Sequence, residues 1–232
     1  MSISDIYEAS WSRKIADTTA IGEPGSRTAI ALDLLPGGKR LLDVGCGDGR
    51  FLLQARNRYS QVQGVDISER AVEAACARGL EVRQVDINKS ALPFPDGAFD
   101  TVVSLDVIEH VIDPYTFVKE LGRVLEPDGY LLLSTPNIRY LKRILQLVFT
   151  GRFPGTSGDP VGFDGGHLHY FTSRDVAELM RQAELRTERT VGVIPSRRLA
   201  VLRAFAKVRL VYEWLSPGIV VIGRKRLQTA DR

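Results

Sequence analysis

The sequence predicts an α/β protein: a doubly wound, mostly parallel seven-stranded sheet with helices on both faces. Three observations lead there. Short apolar runs alternate with helix-period segments through the first half of the 232 residues, as in strand–helix–strand units. Those runs are apolar at consecutive positions, which suits strands covered on both sides. A glycine-rich turn, Gly45-Cys46-Gly47-Asp48-Gly49, falls where the first run gives way to the first helical segment.

The runs at 40–44, 61–66, 80–86, 100–105 and 130–134 read as strands, with helices near 51–58, 68–78 and 114–125 between them. Two late strands, near 191–194 and 219–222, bring the count to seven. The segment 137–149 predicts an amphipathic helix, with Tyr140, Leu141, Ile144, Leu147 and Val148 on one face and Arg139, Lys142, Arg143 and Gln146 opposite. Residues 151–166 are rich in Gly and Pro and read as a long functional loop. A helix capped by Thr172 or Ser173 follows over 172–183. Residues 197–215 carry Val201, Phe205, Val208 and Tyr212 on one helical face and Arg203 and Lys207 on another. Without repeats or a linker, 1–232 reads as a single domain: an N-terminal cap (1–37), a ligand-binding core (38–135) and a substrate-side region (136–217) around the late strands.

Composition narrows the function. The 31 basic and 28 acidic side chains leave a net charge of +3, too little to imply nucleic-acid binding. Two cysteines, Cys46 and Cys76, without paired spacing, predict neither disulfides nor a thiolate zinc site and suit the cytoplasm. Asp5 and Glu8 stand where a signal peptide needs positive charge, and no stretch reaches ~18 uncharged apolar residues.

The glycine turn carries the chemistry. Glycines let backbone pass close to a ligand and adopt positive φ. Neither phosphate-binding pattern is complete: Arg50 occupies the position where a dinucleotide fingerprint needs glycine, and no G-K-[ST] ending is present. Asp43 and Asp48 would repel a pyrophosphate but suit an ammonium or sulfonium group. Asp66 ends the second strand where doubly wound nucleotide sites place a ribose-binding carboxylate. Asp86 ends the third, where an acid can accept from an exocyclic amine. Three successive strand ends thus offer a nucleoside site.

With Phe94-Pro95-Asp96-Gly97-Ala98-Phe99-Asp100 and Leu125-Glu126-Pro127-Asp128-Gly129-Tyr130, residues 38 to 135 resemble the class I S-adenosylmethionine-dependent methyltransferases. The resemblance implies a Rossmann-like methyltransferase fold with S-adenosylmethionine as cofactor. Asp43, Gly45 and Gly47 would contact the methionine part, Asp66 the ribose, and Asp86 with Ile87 the adenine, with Cys46, Ile67, Ser104 and Leu105 as further cofactor-binding residues. Tyr7 and Trp11 resemble the aromatic N-terminal segment that closes over the cofactor in many relatives, with a terminal hydrophobic anchor as the alternative.

A sulfonium donor supplies its own leaving group, so the protein has to align the acceptor and, for a hydroxyl, take its proton. The three histidines, His110, His167 and His169, are the candidate bases. Alternate histidines in an extended Gly166-His167-Leu168-His169-Tyr170-Phe171 would face one side. Asp106, Glu109 and His110 would share a face on a helical turn, similar to an acid-x-x-Glu-His segment of ubiquinone-biosynthesis O-methyltransferases, some of which use magnesium. A single histidine suits that ion poorly, and no metal is expected.

Ser104-Leu105-Asp106 replaces the Asn/Asp-Pro-Pro-aromatic motif of nucleobase amino-methylation, and Asp113-Pro114-Tyr115 is a late, incomplete match. Neither cysteine is placed for cytosine-carbon methylation. The expectation is an O-methyltransferase acting on a small molecule, sugar or lipid-linked glycan, without nucleic acid. The basic amphipathic segments 137–149 and 197–215 would contact a membrane peripherally or pack on the core. The alternative is a methyltransferase-like accessory protein partnering an acyltransferase, since the glycine turn, Arg78-Gly79-Leu80 and Gly151-Arg152-Phe153-Pro154 are also similar to the methionine-biosynthesis accessory proteins.

Overall fold

The computed structural model describes residues 8, 11, 23–159, 163–194 and 200–226. Seven strands alternate with helices: α1 (Arg27–Leu34), β1 (Gly38–Val44), α2 (Arg50–Ala55), β2 (Tyr59–Asp66), α3 (Glu69–Ala77), β3 (Glu81–Gln84), β4 (Phe99–Leu105), α4 (Pro114–Val124), β5 (Leu125–Pro136), α5 (Leu141–Thr150), α6 (Ser173–Gln182), β6 (Leu185–Val193), α7 (Ala200–Arg203) and β7 (Gly218–Lys225). They form one sheet in the order β3-β2-β1-β4-β5-β7-β6. The sheet is mixed: β7 runs antiparallel to both β5 and β6, and the remaining pairs are parallel.

The consecutive apolar residues are explained by two layers. Leu42, Val102, Leu131, Leu133 and Val221 pack on one face with Val118 and Leu121 of α4 and Val176 and Met180 of α6. Their chain neighbours Leu41, Val103, Leu132 and Ile222 pack on the other face with Ala31 of α1 and Phe51, Leu52 and Ala55 of α2. Each strand side chain points opposite to the next, so both alternate sets must be apolar. Strand order reverses between β1 and β4, which opens a crevice at their carboxyl ends, where ligands bind in such sheets.

Local signals set most boundaries. The Asp113 carboxylate accepts from the Tyr115 and Thr116 amides at 3.0 and 3.2 Å, with Pro114 opening α4, so Asp113-Pro114-Tyr115 is a helix start. Thr172 and Asp175 form a reciprocal capping box on α6.

Three expectations differ from the structure. The third strand ends at Gln84, leaving Asp86 in a following turn. The helix expected over 137–149 begins only at Leu141, because Asn137 is buried and its side-chain amide donates to the carbonyls of Tyr212, Glu213 and Ser216. Its apolar stripe does not pack on the core: none of the ten α5 residues is buried. The 197–215 pattern breaks into the short α7 and a π-helical turn at Val211–Leu215, with Val201, Phe205 and Val208 exposed.

Candidate functional site

The turn after β1 crosses the crevice as a tight loop tied back to β2. The amides of Gly45 and Cys46 both donate to the Val65 carbonyl, at 2.8 and 3.0 Å, and the Gly47 amide donates to an Asp66 carboxylate oxygen at 2.8 Å. With these donors already committed to β2, the loop makes no phosphate cradle, in agreement with its incomplete phosphate patterns. Gly45 has φ of +78°, and a Cβ there would lie 2.3 Å from Val107 Cγ2. Gly47 has φ of +56°, and its Cβ would strike the Trp11 indole at 2.3 Å. Left-handed backbone and absent space both demand glycine here.

The acids divide by environment. Asp43 is 3% exposed, and its carboxyl is pushed up to about 8, first by burial and then by the Asp66 charge. Two buried carboxyls side by side make a site that gains from a cation. Asp66 joins the loop to β2, its other oxygen accepting from the Ser68 amide at 2.9 Å. Asp48 is different: Arg50 and Arg78 pair with it at 2.6 and 3.2 Å, so its charge is met within the protein. Asp43 and Asp66, rather than Asp48, are therefore the carboxyls that a bound cation would favour in ionised form.

A cleft of about 590 Å³ opens beside the loop, within the range of small-ligand sites. Of the expected ligand-binding residues, Asp43, Gly45, Cys46, Gly47, Asp66, Ile67, Ile87 and Leu105 line it. Asp86 and Ser104 do not. Asp86 accepts from the Asn88 amide at 3.1 Å and pairs with Lys89 at 2.7 Å, whereas Ser104 is buried and donates to the Val44 carbonyl at 2.9 Å. Asn88, one turn beyond Asp86, lines the cleft instead and was not expected. Its side-chain oxygen accepts from the Ile112 amide at 2.8 Å, a long-range contact that no local pattern announces. Trp11 lines the cleft as expected, while Tyr7 lies outside the described residues. The Cys46 thiol is buried and pushed upward, chiefly by desolvation, which makes it unreactive.

The segment after β4 forms only a short 3-10 turn, Ile108–His110, which holds Glu109 and His110 but leaves Asp106 outside it. Asp106 is left-handed at φ of 54°, held by Arg27 at 2.6 Å and by the Ser134 hydroxyl at 2.5 Å. Glu109 and His110 meet His167 instead, because the Leu168 and His169 amides both donate to the Glu109 carbonyl, at 2.8 and 3.0 Å. The His110 and His167 rings stack edge-on at 4.6 Å, and both line the cleft. His169 is not among the lining residues; its Nε2 lies 3.3 Å from the Ile112 carbonyl. The alternate histidines therefore do not share the cleft.

Around His167 a directional chain can be read. Thr156 Oγ1 lies 2.6 Å from both an Asp164 oxygen and His167 Nδ1. Hydrogen bonds from the Ser157 and Thr156 amides and the Thr156 hydroxyl hold the Asp164 carboxyl below its ordinary range against the opposing effect of burial, so it accepts only. Thr156 thus donates to Asp164 and receives from His167 Nδ1–H, which leaves Nε2 as the basic nitrogen; this tautomer is assigned from the network. Nε2 lies 4.0 Å from Glu109, whose carboxyl is 1% exposed and raised by burial and by the Asp106 charge. Neither Glu109 oxygen has a well-formed hydrogen bond, although the Thr135 hydroxyl stands beside it. Glu109, His110 and His167 offer ligand atoms within 4.8 Å of one another, a donor set able to hold a metal ion.

Comparison with known proteins agrees with this geometry. A family model described as a methyltransferase domain matches residues 17–190. The chain is 32% identical over 167 residues to a Mycolicibacterium smegmatis protein named "Probable S-adenosylmethionine-dependent methyltransferase", covering 72% of this chain and 60% of that one. It is 36% identical over 116 residues to a ubiquinone biosynthesis O-methyltransferase of Idiomarina loihiensis, covering 48% of each. The chain spans about half the length of these curated relatives. A crystal structure of an S-adenosylmethionine-dependent methyltransferase from Thermotoga maritima shares the fold, with a TM-score of 0.69 and 22% identity over 97% of this chain and 100% of that one.

Proposed function

The chain belongs to the class I S-adenosylmethionine-dependent methyltransferase family, and on that premise we propose that it transfers a methyl group to a hydroxyl of a small molecule, sugar or lipid-linked glycan. The single observation carrying the hydroxyl assignment is the His167–Thr156–Asp164 chain, which leaves Nε2 as the basic nitrogen of a histidine lining the same cleft as Asp43 and Asp66. Hydroxyl acceptors need such a base, because an alcohol is a weak nucleophile until its proton is accepted.

S-adenosylmethionine supplies an electrophilic methyl group on a positively charged sulfur. The residues present fit it: buried Asp43 favours the cation, Asp66 has acceptor capacity for ribose hydroxyls, and Ile67, Ile87 and Asn88 offer walls for a base. The Trp11 indole lies against Gly47 of the glycine turn, where it would cover a bound donor. His167 accepts the acceptor's proton at Nε2, and Thr156 and Asp164 hold the ring in its orientation and favour the imidazolium that results.

The test incubates the protein with labelled S-adenosylmethionine and pools of hydroxylated metabolites and glycans. Labelled ether product from the wild type, strongly reduced in His167→Ala, is the expected result. Copurification of an acyltransferase with no methylated product from any pool would overturn it in favour of the accessory reading.

A further inference from the structure

We infer that α5, with Arg152 just after it, forms a docking surface for an anionic lipid bilayer. The first observation is that α5 sits with its faces inverted. Arg143, on its polar side, points into the protein and donates to the carbonyls of Asn137 and Pro217, both at 2.6 Å. The apolar stripe points away: Leu141, Leu145, Val148 and Phe149 are 38%, 44%, 70% and 79% exposed. A helix that spends its arginine on internal carbonyls and shows water its leucines is built to meet an apolar phase.

Charge identifies that phase. No Asp or Glu occurs from 129 through 158, and Lys142 and Arg152 are exposed beside the stripe. Residues 200–210 add Val201, Phe205, Val208 and Leu210, 48% to 78% exposed, with Lys207 exposed among them. The two patches are joined through Glu213, which pairs with Arg139 at 3.0 Å and Arg209 at 2.8 Å. A second copy of this chain would set lysine against lysine with no acid from these stretches between them. Anionic headgroups complement them while the stripe enters the acyl boundary. At ten residues α5 is about 15 Å long, so it lies in the interface plane and does not cross it.

The surface is coupled to the cleft: Arg143 also reaches the Thr156 carbonyl at 3.5 Å, and Thr156 orients His167. A bilayer held there would present a lipid-borne acceptor near the base. The docking itself stands on the α5 geometry, so it can fail while methyl transfer holds, and the reverse.

The experiment is co-sedimentation of the full chain with phosphatidylglycerol/phosphatidylcholine vesicles and with phosphatidylcholine alone. Pelleting with the anionic vesicles only, weakened by salt, is expected, with Val148→Glu/Phe149→Glu reducing the partition coefficient about tenfold or more and Lys142→Glu reducing it less. Unchanged thermal melting and S-adenosylmethionine affinity show that the variants remain folded. Failure of the wild type to pellet, equal pelleting of the double variant, or a dimer that the double variant dissociates without any vesicle binding would each overturn the proposal.

Discussion

Asp43 sets the electrostatics of the site. Its carboxyl is raised to about 8, so the free protein carries it largely protonated at pH 7. A sulfonium beside it favours the ionised form, so binding should release a proton below that pKa and tighten as pH rises, levelling off above about 8. The proton costs about 1.4 kcal/mol at one pH unit below the pKa, so affinity should rise about tenfold from pH 7 to well above 8. Calorimetry in buffers of different ionisation enthalpy measures the release; the neutral thioether S-adenosylhomocysteine should release less. A pH-independent affinity with no proton release would remove Asp43 from the cation site. At the base, His167→Ala should lower kcat by about 10²- to 10⁴-fold with donor affinity kept, and His169→Ala should leave both within a few fold. Thr156→Val, which removes the hydroxyl that Nδ1 contacts, should move the acidic limb of the kcat–pH profile; an unmoved limb contradicts the orientation chain. That Asp43, Asp66 and the glycines line one cleft was legible because they sit at strand ends whose periodicity is strong. Asp86 was misplaced because its strand stops two residues early, where the chain turns and Asp86 caps that turn.

Elements hold these residues in place through contacts that local sequence only partly reveals. The turn between β1 and α2 is specified by backbone conformation as well as by space. Gly45→Ala forces a Cβ to within 2.3 Å of Val107 at φ of +78°, and should abolish donor binding and lower stability by about 1–3 kcal/mol in urea denaturation. Wild-type stability and binding in that variant would show that the loop has room. The Thr172 cap signal located α6 closely, since a side chain at a helix start acts over three residues, whereas the Asp113 cap of α4 reads in sequence as part of a different motif. The meeting of Glu109, His110 and His167 was not legible, because it depends on the Glu109 carbonyl capturing the amides of residues 168 and 169. The α5 pattern was read correctly as amphipathic, but periodicity cannot say which face turns inward. Asn137 and Arg143, by bonding carbonyls of 212–217, decided that.

At the scale of the molecule, reversal of strand order between β1 and β4 creates the crevice, and the two apolar layers on opposite faces fix the sheet around it. The parallel core was legible from strand–helix alternation. The reversed β7 was not, because both its neighbours are far away in sequence and its buried run reads alike in either direction. Everything functional depends on that crevice accepting a positively charged sulfur nucleoside. Isothermal titration of S-adenosylmethionine into the wild type and Asp66→Ala tests this most directly. One site per chain is expected, weakened by about 1.5–3 kcal/mol in the variant through lost charge-assisted hydrogen bonds; absence of saturable binding to the wild type, or equal affinity in the two proteins, would contradict a nucleoside site at this crevice.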